Sequence, residues 1–153
     1  MKLSEIANET DNQVWHCKNW EVVVDNLIID ELIKQAHLNK SKKARLCLHP
    51  KPNEIMQVTY LAFVSPYEDP IHCHPFRPEV LLPVQGLAER RIFSEEGELL
   101  QIEIMESGSG NSFVTGKGMW HSLKLISLEF VMLEIGMGPF TADSTHYLKR
   151  NIS

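Results

Sequence analysis

The sequence is short of the features that mark several large protein classes. Its 153 residues hold only three cysteines, Cys17, Cys47 and Cys73, at spacings that match no metal ribbon. So sparse and odd a set argues against a disulfide framework and fits a reducing cytoplasm. No apolar run approaches the roughly 20 residues needed to cross a bilayer, so no membrane association is expected. The opening MKLSEIANETDNQ has no apolar stretch of the kind a secretory signal carries, and none is expected. Positive charge is in deficit: 15 Lys and Arg stand against 20 Asp and Glu, a net charge of −5. That balance offers no electrostatic footprint for nucleic acid. Internal repeats and long linkers are also missing. With 43% hydrophobic and 23% charged residues the composition is globular, which excludes wholesale disorder. Residues 1–153 therefore read as a single domain, with a core large enough to fold alone.

What is present changes character along the chain. The first 15 or so residues are polar and read as a loose terminus. Trp20–Val24 reads as a short strand. Asp25 can cap a helix running to about His37, because Ile28, Ile29, Leu32, Ile33 and Ala36 recur at helical spacing, with Asn39 as its stop. Lys40, Lys42, Lys43 and Arg45 form a small basic cluster, read as a solvated turn from which Arg45 is kept as an anion contact. From about residue 44 the period changes to two. Short strands are expected near 45–49, 54–64, 68–74, 79–85, 87–93, 98–105, 112–115, 119–126 and 128–134, with Ser94–Gly97 as a hairpin turn. Many short strands after one helix predict a mainly β sandwich or small barrel over about 44–140. Residues 1–43 would pack on it, and residues 141–153 would be a tail.

One stretch carries chemistry: His72-Cys73-His74-Pro75-Phe76-Arg77-Pro78-Glu79. Residues two apart on a strand share a face, so His72 and His74 can hold one ion while Cys73 points away into packing. Two prolines turn the chain, and Glu79 then opens the next strand. A second piece, Gly116-Lys117-Gly118-Met119-Trp120-His121, is a glycine turn feeding a strand. There Ser122 and Lys124 should face water, which turns His121 inward as a hydrogen-bonded core residue or a ligand.

The spacings sharpen this. His72-x-His74, four residues, Glu79, six residues, Gly86 is followed by Gly110, five residues, Gly116-x-Gly118, two residues, His121. Together these resemble the two signature motifs of the cupin superfamily over about residues 66–125. Pro66, Gly116 and Leu125 depart from the usual glycine, proline and asparagine, but none is a ligand position. The resemblance implies a double-stranded β-helix, or jelly-roll, barrel with a short amino-terminal helix, and His72, His74, Glu79 and His121 as metal ligands; three imidazoles and a carboxylate suit one divalent Fe, Mn, Ni, Co or Zn ion, with positions left open for water or a small molecule. Ala44–His49, Tyr67 with Pro70–Pro75 and Glu79, and Glu134 with Gly138-Pro139-Phe140 resemble, more narrowly, the WbuC family of small bacterial cupin-fold metalloproteins. Its members often accompany O-antigen or surface-polysaccharide genes. That implies a metal-dependent reaction on a sugar or other small polar molecule, with a non-catalytic binding or sensor module, or a purely structural ion, as the alternatives. Cupins also often form homodimers.

The remaining candidates are polar residues at inward-facing parity. Arg45 and His49 share a strand face with Cys47 and can bind an anionic or hydroxylated ligand. Glu134 shares parity with Leu128, Phe130 and Met132, and an inward carboxylate needs either a basic partner, for which Arg45 and His49 are the candidates, or a catalytic role. Glu134, His49 and Tyr67 are the candidate acid–base residues. Arg45, Arg77 and Gln57 are the candidate substrate contacts, with Arg77 free to clamp a carboxylate or phosphate or to face solvent. Leu100, Ile102 and Ile104 read as the buried side of a half-buried strand. Trp15 and Trp20 are expected to pack the amino-terminal segment down.

Overall fold

The structure is a computed structural model that describes residues 2–149; of the tail set at 141–153, residues 150–153 lie outside that range. Helix α2 (Asn26–Leu38) forms where the apolar spacing places it. A four-residue helix, α1 (Leu3–Ile6), precedes it. The Asp25 side chain caps α2 by accepting from the Ile28 backbone N–H at 3.0 Å. Ile28, Ile29, Leu32, Ile33 and Ala36 are buried, as their period requires. They pack on Ala44 and Leu46 of β3 (Lys43–Cys47) and on Ala62 and Val64 of β4 (Met56–Val64).

The opposite face of these two strands looks into a barrel. β3 presents Lys43, Arg45 and Cys47 inward, and β4 presents Gln57, Thr59, Leu61 and Phe63. The period of two thus separates two cores: one beneath α2, and one inside the barrel built on Leu61, Phe63, Leu81, Met105, Phe130 and Met132.

Two long strands close the barrel. β6 (Glu79–Phe93) and β9 (Trp120–Met137) pair antiparallel along both of their halves, from Glu79↔Gly136 to Phe93↔Trp120, with β-bulges near Pro83 and Gly86. β9 also pairs with β4 and with the two-residue β5 (His72–Cys73), whereas β7 (Leu99–Glu106) and β8 (Phe113–Thr115) pair only with β6. The bulge re-aims each long strand so that one chain segment serves both walls. Gly86 makes this possible: its φ is +82°, and a Cβ there would meet the Glu129 carbonyl oxygen and lie 2.7 Å from Ser127 Oγ. Gly86→Ala is therefore expected to cost about 2–3 kcal/mol from left-handed strain and overpacking. Denaturant unfolding checks this, and a change below about 0.5 kcal/mol, the usual range for a featureless surface site, would contradict it.

Several expectations are corrected. Trp20–Val24 is not a strand. Its alternation is real, with Val22 and Val24 packed on the core beneath α2, but the segment has no sheet partner. The loose amino terminus is instead ordered: β1 (Ala7–Asp11) and β2 (Val14–Cys17) form a hairpin, and β2 adds parallel to β3. β1 is almost wholly exposed, so it leaves no apolar signature to read. Trp20 is half-exposed and lies outside the core, whereas Trp15 packs on the core beneath α2 as expected. The strand expected at 68–74 shrinks to β5. In β7 the facing is reversed: Leu100, Ile102 and Ile104 are exposed, while Met105 is buried and Glu103 reaches the buried Arg90 at 2.6 Å. A buried guanidinium needs a counter-charge, and that requirement sets the facing of β7 against its apolar pattern. Ser122 is buried rather than solvated, set in the cavity wall next to His121. Leu128, expected to share a face with Phe130, is exposed because the bulge at 126–129 breaks the parity. Part of the tail is built in as well, since β10 (His146–Tyr147) pairs antiparallel with β5.

Candidate metal centre

The open end of the barrel is a cavity of about 750 Å³. On its wall β5 and β9 pair at His72↔His121, which sets those two imidazoles side by side with ring centroids 4.3 Å apart. His74 follows at the turn, 5.2 Å from His72 and 5.4 Å from His121 between ring centroids. Each residue offers a ligand atom, and the three atoms lie within 4.8 Å of one another.

The hydrogen bonds fix which nitrogens face the centre. Nδ1 of His72 lies 2.8 Å from the Pro70 carbonyl, Nδ1 of His121 lies 2.8 Å from the Met119 carbonyl, and Nδ1 of His74 lies 3.1 Å from the Ser144 carbonyl. A carbonyl can only accept, so each Nδ1 carries the proton and each Nε2 keeps its lone pair. This is the arrangement of metal-ligating histidines, whose second nitrogen is held by an outer partner. The tail supplies one of those partners: Ser144 precedes β10, and Thr145 Oγ1 is also 3.2 Å from His74 Nδ1. Burial pushes the His74 pKa down to about 4, with the Arg77 charge adding to it. Burial and the neighbouring His72 push His121 down to about 3. Both rings are therefore neutral and ligand-competent at neutral pH.

Glu79 stands beside this triad. Its Oε1 is 3.0 Å from His74 Nε2 and 2.9 Å from Arg77 Nη2. Oε1 is buried, yet it takes part in no aligned hydrogen bond. A lone pair on His74 Nε2 and a carboxylate oxygen cannot face each other stably without a proton or a cation between them. Burial, reinforced by Glu134, pushes the Glu79 pKa up to about 8 against the pull of Arg77. The donor set thus fits a divalent ion of imidazole and carboxylate preference. Arg77 does not face solvent. It is buried, it stacks on Phe140 at 3.7 Å from the ring centre, and its Nε and Nη1 have no hydrogen-bond partner.

The other candidates separate. Arg45 and Glu134 both line the cavity. Burial raises the Glu134 pKa, opposed first by Arg77 and then by Arg45. The expected ion pair of Glu134 with Arg45 or His49 does not form: among the described residues Glu134 has no basic partner within 4.0 Å, and Arg77 is the strongest charge acting on it. His49 lies elsewhere in the cavity, next to His16, with ring centroids 5.4 Å apart. Gln57 lines the cavity, but its amide is spent donating to the Glu54 and Pro52 carbonyls at 2.6 and 3.1 Å, where it holds the preceding loop. Tyr67 donates its hydroxyl to Asp69 and packs on Phe63 at 4.7 Å between centroids. Burial and Asp69 raise its pKa, so it stays a neutral phenol. Cys73 is buried outside the imidazole group.

Sequence reasoning missed His16, Ser144, Thr145 and Arg90. His16 sits in a segment without apolar periodicity, and Ser144 acts through its backbone carbonyl, for which no residue type is a signal.

No protein-family model matches the chain, and no curated protein matches its sequence. Solved structures do. The capsular polysaccharide assembling protein CapF from Staphylococcus aureus is similar at a TM-score of 0.62 and 15% identity, over 73% of this chain and 33% of that one. Oxalate decarboxylase from Bacillus subtilis is similar at 0.55 and 18%, over 69% of this chain and 27% of that one. KdgF from Halomonas sp. is similar at 0.52 and 18%, over 67% of this chain and 83% of that one. The chain spans about a third of the length of CapF and about a quarter of oxalate decarboxylase. At these identities the likeness shows the fold: a mainly β cupin barrel with a short amino-terminal helix.

Proposed function

We propose that the protein is a metal-dependent enzyme that binds one first-row divalent ion through His72, His74, His121 and Glu79 and acts on a small polar or anionic molecule, a sugar in surface-polysaccharide synthesis being the leading class. The observation that carries this reading is the set of three Nδ1-anchored imidazoles turned toward a buried, unsatisfied carboxylate in a 750 Å³ cavity. The substrate class rests on the resemblance to the WbuC family and on the similarity to a capsular polysaccharide assembling protein. A divalent metal is further supported by the Mn(II) centres of the similar oxalate decarboxylase.

Such an ion would supply a Lewis acid with open positions for a substrate oxygen. This chain's own groups do the rest. Arg77 and Arg45 line the cavity and bring positive charge to an anionic substrate. Glu134, with no ion-pair partner among the described residues, is the candidate proton acceptor. Tyr67 is a hydrogen-bonding phenol rather than a base.

Elemental analysis of protein made without chelators is expected to find a first-row metal, and ligand screening by calorimetry should find a small sugar or acid whose binding is lost in His74→Ala. Protein that neither carries metal nor recovers it on addition of Fe²⁺, Mn²⁺, Ni²⁺, Co²⁺ or Zn²⁺ would overturn the reading. A ligand that binds and is released unchanged would favour a sensor module instead. Self-association belongs to the same reading, and the exposed Leu100, Ile102 and Ile104 face supports it. So does a reducing cytoplasm, since all three cysteines are free; no helix among the described residues is long and apolar enough to cross a membrane.

Metal uptake should carry a proton signature. At pH 7 the Glu79 carboxyl lies below its raised pKa of about 8 and is mostly protonated, whereas His74 and His121 are already neutral. An ion that takes Glu79 as a ligand must displace roughly one proton. Affinity should then rise with pH to about 8 and level off above it. Calorimetry in buffers of different ionisation enthalpy measures the release; uptake without proton release would remove Glu79 from the ligand set.

A further inference from the structure

We infer that the chain holds a second metal site, a zinc-type centre formed by His16, Cys47 and His49 on the same cavity. The three residues come together through strand register. β2 lies parallel to β3 with His16 opposite Cys47, and His49 follows Cys47 by two residues. All three are buried, and their ligand atoms lie within 4.8 Å of one another. The two imidazoles meet edge to face, 5.4 Å apart at an interplanar angle of 82°.

Both rings are held from behind. Nδ1 of His16 is 2.7 Å from Thr10 Oγ1, and Nδ1 of His49 faces the Val58 backbone, 3.1 Å from its N–H nitrogen and 3.2 Å from its carbonyl oxygen. Neither Nε2 has a hydrogen-bond partner among the described residues, and both rings line the cavity. Each ring is thus anchored at Nδ1 with its Nε2 unpartnered; an ion bound there takes the Nε2 lone pair, with the His49 Nδ1–H then donating to the Val58 carbonyl, which is the anchoring of metal-ligating histidines. The Cys47 sulfur has a single weak partner, Thr59 Oγ1 at 3.9 Å. Two imidazoles and one thiolate match Zn²⁺, for which three protein ligands and an open fourth position are typical of reactive sites. Ligand atoms around a tetrahedral zinc stand about 3.5 Å apart, given Zn–N near 2.0 Å and Zn–S near 2.3 Å, so the triad closes with small side-chain rotations. The donor set differs from the imidazole–carboxylate group of the first site, so the two should differ in metal preference. The fourth position opens into the shared cavity, where it can take water or a group of the same small ligand.

The test uses the full chain, stripped with chelator and reloaded. With Zn²⁺ the expected stoichiometry is two ions per chain, falling to one in Cys47→Ser and to one in His74→Ala. Loaded with Co²⁺, the wild-type protein should show a near-ultraviolet thiolate-to-cobalt charge-transfer band that survives in Cys73→Ser and in His74→Ala but vanishes in Cys47→Ser. X-ray absorption at the zinc edge of the wild-type protein, which needs no variant, should place a sulfur neighbour at about 2.3 Å. A shell of nitrogen and oxygen alone, or a charge-transfer band that follows Cys73 instead of Cys47, would overturn the site. One ion held with sulfur and indifferent to His74→Ala would uphold it while removing the first site.

Discussion

His121→Ala should lower affinity for the ion at the first centre by more than about 100-fold. Loss of an outer-shell partner of a ligand typically costs 10–100-fold, and loss of the ligand itself should exceed that. His121 is the choice because its place is fixed by the fold: it stands on β9 facing His72 across one strand pair, and its Nδ1 is tied to its own chain at Met119. The effect reaches stability. An ion held at 100 times its Kd stabilises the folded state by about 2.7 kcal/mol, so the part of the metal-induced rise in Tm that this centre contributes, measured in the Cys47→Ser background, should largely disappear in the variant. Cys73→Ser is the control, since Cys73 lies outside the imidazole group despite sitting between two of its members. Competition titration with a chromophoric chelator gives the affinities. Equal losses in Cys73→Ser and His121→Ala would show that the alternation of facing through His72, Cys73 and His74 does not govern this site.

That alternation was legible because each element in question obeys a single physical rule. Helix α2 buries the five residues its period selects, and β4 sorts Gln57, Thr59, Leu61 and Phe63 from Tyr60, Ala62 and Val64 by simple parity. Parity alone places His72 and His74 on one face, and the resemblance to the two cupin motifs is what joins His121 to them. The reading failed where long-range demands outrank the local pattern. In β7 the buried charge of Arg90 draws Glu103 inward and leaves Leu100, Ile102 and Ile104 outside. At the 126–129 bulge the count of two breaks, so Leu128 and Phe130 part company. In the tail, the Ser144 carbonyl steadies His74 from 70 residues away, a contact made by backbone that any residue could supply. His16 shows the same limit, since its site exists only once β2 lies in register with β3.

Glu134→Gln should then separate a working carboxylate from a structural one. The substitution keeps the shape and removes the charge. Glu134 lies on β9 opposite Thr59 of β4 and Leu81 of β6, so both neighbouring strands hold its backbone in place. No basic group pairs with it within 4.0 Å among the described residues, so the fold should tolerate the change and metal uptake should persist. One property must move even without a known substrate. Glu134 is the main charge that raises the Glu79 pKa after burial itself. Its neutralisation should lower that pKa, and with it the pH midpoint of metal uptake, by on the order of one unit, as expected for one like charge nearby at an effective dielectric near 20. The sign follows from the proton that the ion displaces: a more acidic Glu79 releases it at lower pH. With a substrate in hand, loss of a general base should reduce kcat by about 10²–10⁴-fold while leaving the metal in place. An unchanged midpoint would mean that Glu134 carries no charge facing Glu79, and the proposed reaction would then lose its base.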